Sequence, residues 1–233
     1  MTWPSRGRRR IIGKALTLKA LIFDAYGTLL DVHGAMARHA SLLPPDWERI
    51  SADWRAKQLE YSWVHSLSGY PGADFWRVTQ DALAVVAARE RISDPAVLQA
   101  LLDAYQALPA YDDAAATLLA VRARGIGTAI LSNGTPAMLA SAVASAEIGP
   151  LLDAVLSVQD LGVFKPDPRA YALATQFYSC AAHELGFVSS NAWDAQAAGA
   201  FGMRVFWCNR SGGPPEYGLT TAVTRLTDLP ALL

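Results

Sequence analysis

The sequence predicts an α/β fold, a doubly wound parallel sheet with a helical domain inserted after its first strand, and three observations carry that expectation. Short apolar runs alternate with helix-like segments. Each run ends in small or polar residues. One long stretch, residues 33–108, has helical periodicity and no convincing strand. Strands buried between two helix layers read as continuous apolar runs, and their ligands bind beyond the carboxyl ends of the strands.

The chain opens on Arg6, Arg8, Arg9 and Arg10 ahead of Ile11 and Ile12, a pattern similar to a twin-arginine export signal. Lys14 and Lys19 interrupt the apolar stretch such a signal needs, so residues 1–16 are expected to form a flexible or loosely docked basic lead. The first strand is predicted over Leu18–Phe23, emptying into Asp24-Ala25-Tyr26-Gly27-Thr28. Trp47, Trp54, Trp63 and Trp76 then cluster in the helical stretch, which leaves the core after the first strand and returns before the second. That placement suits a cap over the strand ends. The domains are therefore expected as a core of residues 17–32 and 109–233 and a cap of residues 33–108. Further strands are predicted at Gly127–Leu131, Ala154–Val158, Leu185–Val188 and Met203–Trp207, with helices over Ala114–Arg124 and Pro168–Phe177.

At 233 residues and a formal net charge of −1, the chain can bury a substantial core and has no broad field for nucleic acid or an anionic membrane. No apolar run approaches the roughly 18–20 residues that a membrane span requires. Cys180 and Cys208 lie in no zinc-binding spacing and are expected as buried free thiols of a reduced, cytoplasmic protein.

Four constellations sit at predicted strand ends. Asp24 with Gly27 and Thr28 offers a carboxylate on a sharp turn, although an aspartate there can simply cap the turn. Ser132-Asn133-Gly134 follows the second strand, where Ser132 could equally cap a helix and Asn133 shape a turn. Lys165, between apolar residues and a proline-stiffened turn, suits a fixed cation more than a solvated surface charge. The densest is Ser189-Ser190-Asn191-Ala192-Trp193-Asp194, which gathers hydroxyls, an amide, an indole and a carboxylate within two turns. None of His33, His39, His65 or His183 lies in a motif that would make it a base.

These blocks, in this order, resemble the haloacid dehalogenase superfamily, with its Asp-x-x-x-Thr start, Ser/Thr strand end, Lys-Pro turn and acidic final loop. The stretch Trp54–Trp63, with Ser189–Asp194, looks specifically like the L-2-haloacid dehalogenase branch. The likeness runs from about Leu18 to Asn209. Phosphatases of this superfamily place a second aspartate two positions after the nucleophile and further aspartates in the final loop to hold Mg²⁺. Here those positions hold Tyr26 and Ser189.

The resemblance therefore implies a metal-independent enzyme without cofactor, acting on a small 2-haloacid, releasing halide, and habitually a homodimer. It implies Asp24 as nucleophile and Arg55 with Asn133 as the halide-receiving pair. Lys165 would pair with the nucleophile, and Thr28, Tyr171, Ser189 and Asn191 would aim it. Ser132 would hold the substrate carboxylate, Asp194 would activate water, and Tyr26, Leu59, Phe75 and Trp193 would line the pocket. Ala56 departs from the longer polar residue usual at its position, and the Gly69–Gly72 region blurs the alignment onto Phe75, which puts the pocket's size in doubt. Two alternatives share the fold: a Mg²⁺-dependent phosphatase or other small-anion hydrolase, and a catalytically silent homologue that binds a carboxylate or partner. Activity on p-nitrophenyl phosphate with Mg²⁺ would mark the first. Retention of the charged trio Asp24, Lys165 and Asp194 speaks against the second.

Overall fold

A computed structural model of the chain describes residues 18–69, 72 and 74–233, so the basic lead of residues 1–16 lies outside the described residues. The first strand, β1 (Ala20–Phe23), has all four side chains fully buried, as a central strand covered on both faces requires. Around it lie β2 (Gly127–Ser132), β3 (Ala154–Ser157), β4 (Leu185–Ser189), β5 (Arg204–Cys208) and the short β6 (Ala222–Val223). The six form one sheet in the order β3-β2-β1-β4-β5-β6, and every pairing is parallel. The five expected strands fall within a residue or two of their predicted bounds. β6 was not anticipated, because Ala222 and Val223 are too short a pair to stand out.

Between β1 and β2 lie α1 (Val32–Ala37), α2 (Trp47–Ser68), α3 (Phe75–Glu90) and α4 (Pro95–Gln106), followed by α5 (Ala114–Arg122), which leads into β2. The remaining crossovers are α6 (Pro136–Ser145), α7 (Pro168–Tyr178) and α8 (Ala192–Phe201). Side chains start these helices where the sequence supplies an acceptor. Asp74 takes the Arg77 amide at α3, Thr135 the Met138 amide at α6, and Asp167 the Arg169 amide at α7. Pro136 and Pro168 open the last two, where a missing N–H costs nothing.

Winding runs outward from β1 through β2 to β3, then restarts on the other side of β1 with β4 and β5. The reversal leaves a crevice at the carboxyl ends of β1 and β4, the point where such sheets bind ligands. Register fixes what meets there. Phe23 pairs with Ile130 on one side and Val188 on the other, so Asp24, Ser132 and Ser189 emerge at neighbouring heights.

Candidate active site

Asp24 leaves β1 with its amide donating to the Val188 carbonyl at 2.9 Å, so the loop begins while still tied to the sheet. Gly27, at φ +90°, takes the left-handed turn that returns Thr28 toward Asp24, and a side chain there would be strained. Thr28 Oγ1 donates to Asp24 Oδ2 at 3.2 Å and accepts the Ser190 amide at 2.8 Å, linking the two strand ends through one hydroxyl. Asn191 Nδ2 donates to the same Oδ2 at 2.8 Å.

The other carboxylate oxygen faces Lys165. Its Nζ donates to Asp24 Oδ1 at 3.2 Å and to Asp194 Oδ2 at 2.9 Å, with the lysine only 1% exposed. An ammonium removed from water in this way costs free energy unless paired, and here it has two anionic partners. Burial by itself would push the Lys165 ammonium down, but Asp194 and Asp24 more than offset that and hold it above its ordinary value. The loop carrying the lysine is held in turn by Asn133, whose Oδ1 accepts the Lys165 amide at 2.8 Å, and by Ser66 of α2, whose Oγ accepts the Phe164 amide at 2.8 Å.

Asp194 is fully buried on α8, and Tyr171 Oη donates to its Oδ1 at 2.6 Å. Burial pushes the Asp194 carboxyl up to about 6, with Lys165 opposing and Asp24 adding to the rise. Burial likewise drives the Tyr171 phenol far up, so it acts as a neutral donor.

The predicted aiming residues therefore work at two distances. Thr28 and Asn191 touch Asp24. Tyr171 instead bonds Asp194, and Ser189 Oγ accepts the Asn191 amide at 3.1 Å, so Ser189 reaches Asp24 through Asn191 and Tyr171 through Asp194 and Lys165. Geometry explains this: Ser189 ends β4 fully buried beneath its own loop, while Asn191 stands at the head of α8. Ser132 is buried and its Oγ accepts the Gly134 amide at 3.2 Å, which shapes the loop after β2.

Arg55 reaches from α2 so that Nη2 donates to the Tyr26 carbonyl at 3.3 Å, bringing the helical stretch onto the Asp24 loop. Its Nη1 is buried and has no hydrogen-bond partner among the described residues. Tyr26 stacks on Tyr105, with ring centroids 5.5 Å apart, and meets Phe75 at 6.0 Å. Trp193 sets its ring edge-on against Trp63 of α2 at 5.4 Å. Leu59 is partly buried one turn along α2 from Arg55, the same face by helical geometry.

Three features escaped the sequence reading. Gln58, wholly buried, accepts from Tyr105 Oη at 3.2 Å and donates to Thr79 Oγ1 at 3.0 Å, a polar knot under the Tyr26–Tyr105 stack. Ser66 clamps the lysine loop. Behind the Asp24 loop, Arg210 donates to the Thr28 carbonyl at 2.8 Å and forks onto buried Asp113 at 2.9 and 3.0 Å. Local pattern announces none of them, since the partners lie 97 residues apart in the last case and 98 in the second.

Comparison with known proteins agrees with this architecture. The model of the haloacid dehalogenase-like hydrolase family matches residues 18–202. (S)-2-haloacid dehalogenase 4A of Burkholderia cepacia is 45% identical over 202 residues, covering 86% of this chain and 87% of that protein. A crystal structure of a dehalogenase superposes with a TM-score of 0.89 at 43% identity, covering 93% of this chain and 97% of that one. L-2-haloacid dehalogenase from Xanthobacter autotrophicus, solved with chloropropionic acid covalently bound, gives 0.82 at 37% identity, covering 93% and 98% of the two chains. By sequence, by topology and by the side chains gathered at its strand ends, the chain belongs to the haloacid dehalogenase-like hydrolases.

Proposed function

We propose that the chain is an (S)-2-haloacid dehalogenase, converting short 2-haloalkanoic acids to 2-hydroxy acids and halide through an ester on Asp24. One observation carries this reading: the buried Lys165 ammonium lies between the Asp24 and Asp194 carboxylates, supplying the positive charge of the site from the chain itself. Tyr26 and Ser189 stand where two acidic residues would serve a magnesium-dependent phosphatase, so the donor set is poor in the hard oxygen ligands that Mg²⁺ favours. The reaction is accordingly metal-independent and needs no cofactor.

In the first step Asp24 attacks the halogen-bearing carbon from the side opposite the halogen. A carbon–oxygen bond forms, the carbon–halogen bond breaks, and the carbon inverts. Asp24 Oδ2 already accepts from Thr28 and Asn191, whereas Oδ1 accepts from Lys165 alone, which favours Oδ1 as the attacking atom. Halide departs toward Arg55, with Asn133 as its second donor, because a leaving anion needs donors placed where its charge develops. Ser132 and nearby backbone amides hold the substrate carboxylate, while Tyr26, Leu59, Phe75 and Trp193 bound the substituent.

In the second step water adds to the Asp24 carbonyl carbon as Asp194 takes its proton, and the acyl–oxygen bond then breaks while Asp194 returns that proton to the departing alkoxide, which releases the 2-hydroxy acid. One solvent oxygen stays in Asp24. Residues 33–108 act as the cap over a core of residues 17–32 and 109–233, a division supported by the strand-free run α1–α4 and by the reach of Arg55 onto Tyr26. Among the described residues no helix is long and apolar enough to cross a membrane. A cytoplasmic setting accords with the free thiols, of which Cys208 is buried as expected and Cys180, just past the end of α7, is only half-buried; a homodimer accords with exposed Val64 and Leu67 on α2.

Halide release from (S)-2-chloropropionate under exhaustive chelation tests the reading. Release is expected, and Asp24→Asn should abolish it with the fold intact. Hydrolysis of p-nitrophenyl phosphate dependent on Mg²⁺, with no halide release, would replace it by the phosphatase reading.

A further inference from the structure

The pocket wall contains a polar atom whose chemistry the wall role leaves unused. Tyr26 is 2% exposed, and its phenol oxygen is buried with no hydrogen-bond partner among the described residues. A buried hydroxyl left unpaired is destabilising, and a phenylalanine would fill the same space without that cost. The ring cannot easily turn away to water, because Tyr105 stacks on one side at 5.5 Å and Phe75 packs at 6.0 Å.

The hydroxyl also has a defined place. A Cβ built on Gly134 would lie 3.0 Å from the Tyr26 oxygen and 2.9 Å from the ring, so the phenol end rests against the Asn133-Gly134 turn and needs a glycine there. Asn133 has its amide oxygen committed to the Lys165 backbone, which leaves the NH₂ end as its donor. On the other side Arg55 binds the Tyr26 carbonyl through Nη2 and also acts on the buried Tyr105 phenol, while its Nη1 makes no hydrogen bond among the described residues. The Tyr26 phenol is pushed far up by burial, with Asp24 adding and Arg55 opposing, so it keeps its proton beside them. Two buried donors without partners, on residues already bonded to each other and beside a third donor, describe a receptor for a small anion more than an apolar wall.

We propose that the Tyr26 hydroxyl donates a hydrogen bond to the departing halide, completing with Arg55 and Asn133 a three-donor receptor at the Asp24 site. This rests on the dehalogenase reading and deepens it, making Tyr26 a catalytic and leaving-group-selecting residue. As the carbon–halogen bond breaks, its electron pair goes to the halide and the phenol O–H bonds that anion without transferring its proton. A harder, more basic halide gains more from such a bond, so the hydroxyl favours chloride over bromide as leaving group.

Tyr26→Phe removes one oxygen and keeps the ring. The measurement is kcat/KM, which reports ester formation, on (S)-2-chloropropionate and (S)-2-bromopropionate, together with product inhibition by chloride. The expected result is a fall of about 10- to 100-fold on the chloro substrate, a smaller fall on the bromo substrate, and weaker chloride inhibition. Gly134→Ala, which pushes on the phenol, should shift the chloro/bromo ratio in the same direction. Equal losses on both substrates with unchanged chloride inhibition would make Tyr26 a packing residue and overturn the proposal, as would no loss at all. The unmodified chain assayed alongside separates the two levels: if it releases no halide the dehalogenase reading fails, whereas release with an indifferent Tyr26→Phe defeats this inference alone.

Discussion

Asn191 Nδ2 donates to Asp24 Oδ2 at 2.8 Å, a shorter bond than those from Thr28 and Lys165, both 3.2 Å. The same amide lies 3.4 Å from the Tyr26 carbonyl, so one side chain at the head of α8 fixes both the nucleophile and the turn that carries it. Asn191→Ala is expected to lower kcat/KM by about 10- to 100-fold, since a hydrogen bond to a charged group is worth roughly 1.5–3 kcal/mol. Steady-state kinetics on (S)-2-chloropropionate checks it, and circular dichroism should show the fold unchanged.

With Asp194 as the proposed base for water, the acid limb of the pH profile is expected to follow its carboxyl. Its carboxyl is raised to about 6 by burial, with Lys165 opposing, and only the ionised form can accept a proton from water. Ester hydrolysis should therefore be level above that value and fall by about tenfold per pH unit well below it. Because the folded state holds this proton more tightly than an unfolded chain, Asp194 favours folding as pH falls, its contribution declining as pH rises from about 4 to 6. Activity should then be lost between pH 6 and 5 without unfolding. Single-turnover decay of the ester across pH, with circular dichroism on the same samples, separates the two effects.

Arg55→Ala should weaken stabilisation of the leaving halide by about 2–4 kcal/mol, the cost of removing one placed donor from a dry site. The loss should appear in kcat/KM. An unchanged value would remove Arg55 from the site despite its contact with Tyr26.

Stability has a separate anchor. Arg210 forks onto Asp113, whose side chain is wholly inaccessible and also accepts the Leu226 amide at 2.8 Å. Arg210→Met leaves that carboxylate buried without its cation, which costs about 3–5 kcal/mol. Urea denaturation should show the lower midpoint. Since Arg210 also holds the Thr28 carbonyl, activity should fall further than the stability loss alone explains.

Much of the core was legible because its signal is local. An apolar run such as Leu185–Val188 ending in hydroxyls can be read without knowing its neighbours, and Asp24, Lys165 and Asp194 stand in such short blocks. What the blocks could not convey was who touches whom. Tyr171 and Ser189 were expected to aim Asp24 directly, yet Ser189 acts through Asn191 and Tyr171 through Asp194 and Lys165, because strand register and helix phase set the last few ångströms. The Gln58–Tyr105 and Asp113–Arg210 pairs were invisible for a related reason: a buried glutamine or aspartate carries no periodicity, and its partner lies far away in the chain.

The central claim is that the Asp24 carboxylate bonds directly to carbon. One turnover in heavy-oxygen water, with enzyme in excess over (S)-2-chloropropionate, tests it through the mass of the peptide containing Asp24. The account predicts that this peptide gains one heavy oxygen while the first 2-hydroxy acid released carries none. Label found only in the product's hydroxyl, with an unaltered Asp24 peptide, would mean that water attacks the substrate itself and would contradict the account.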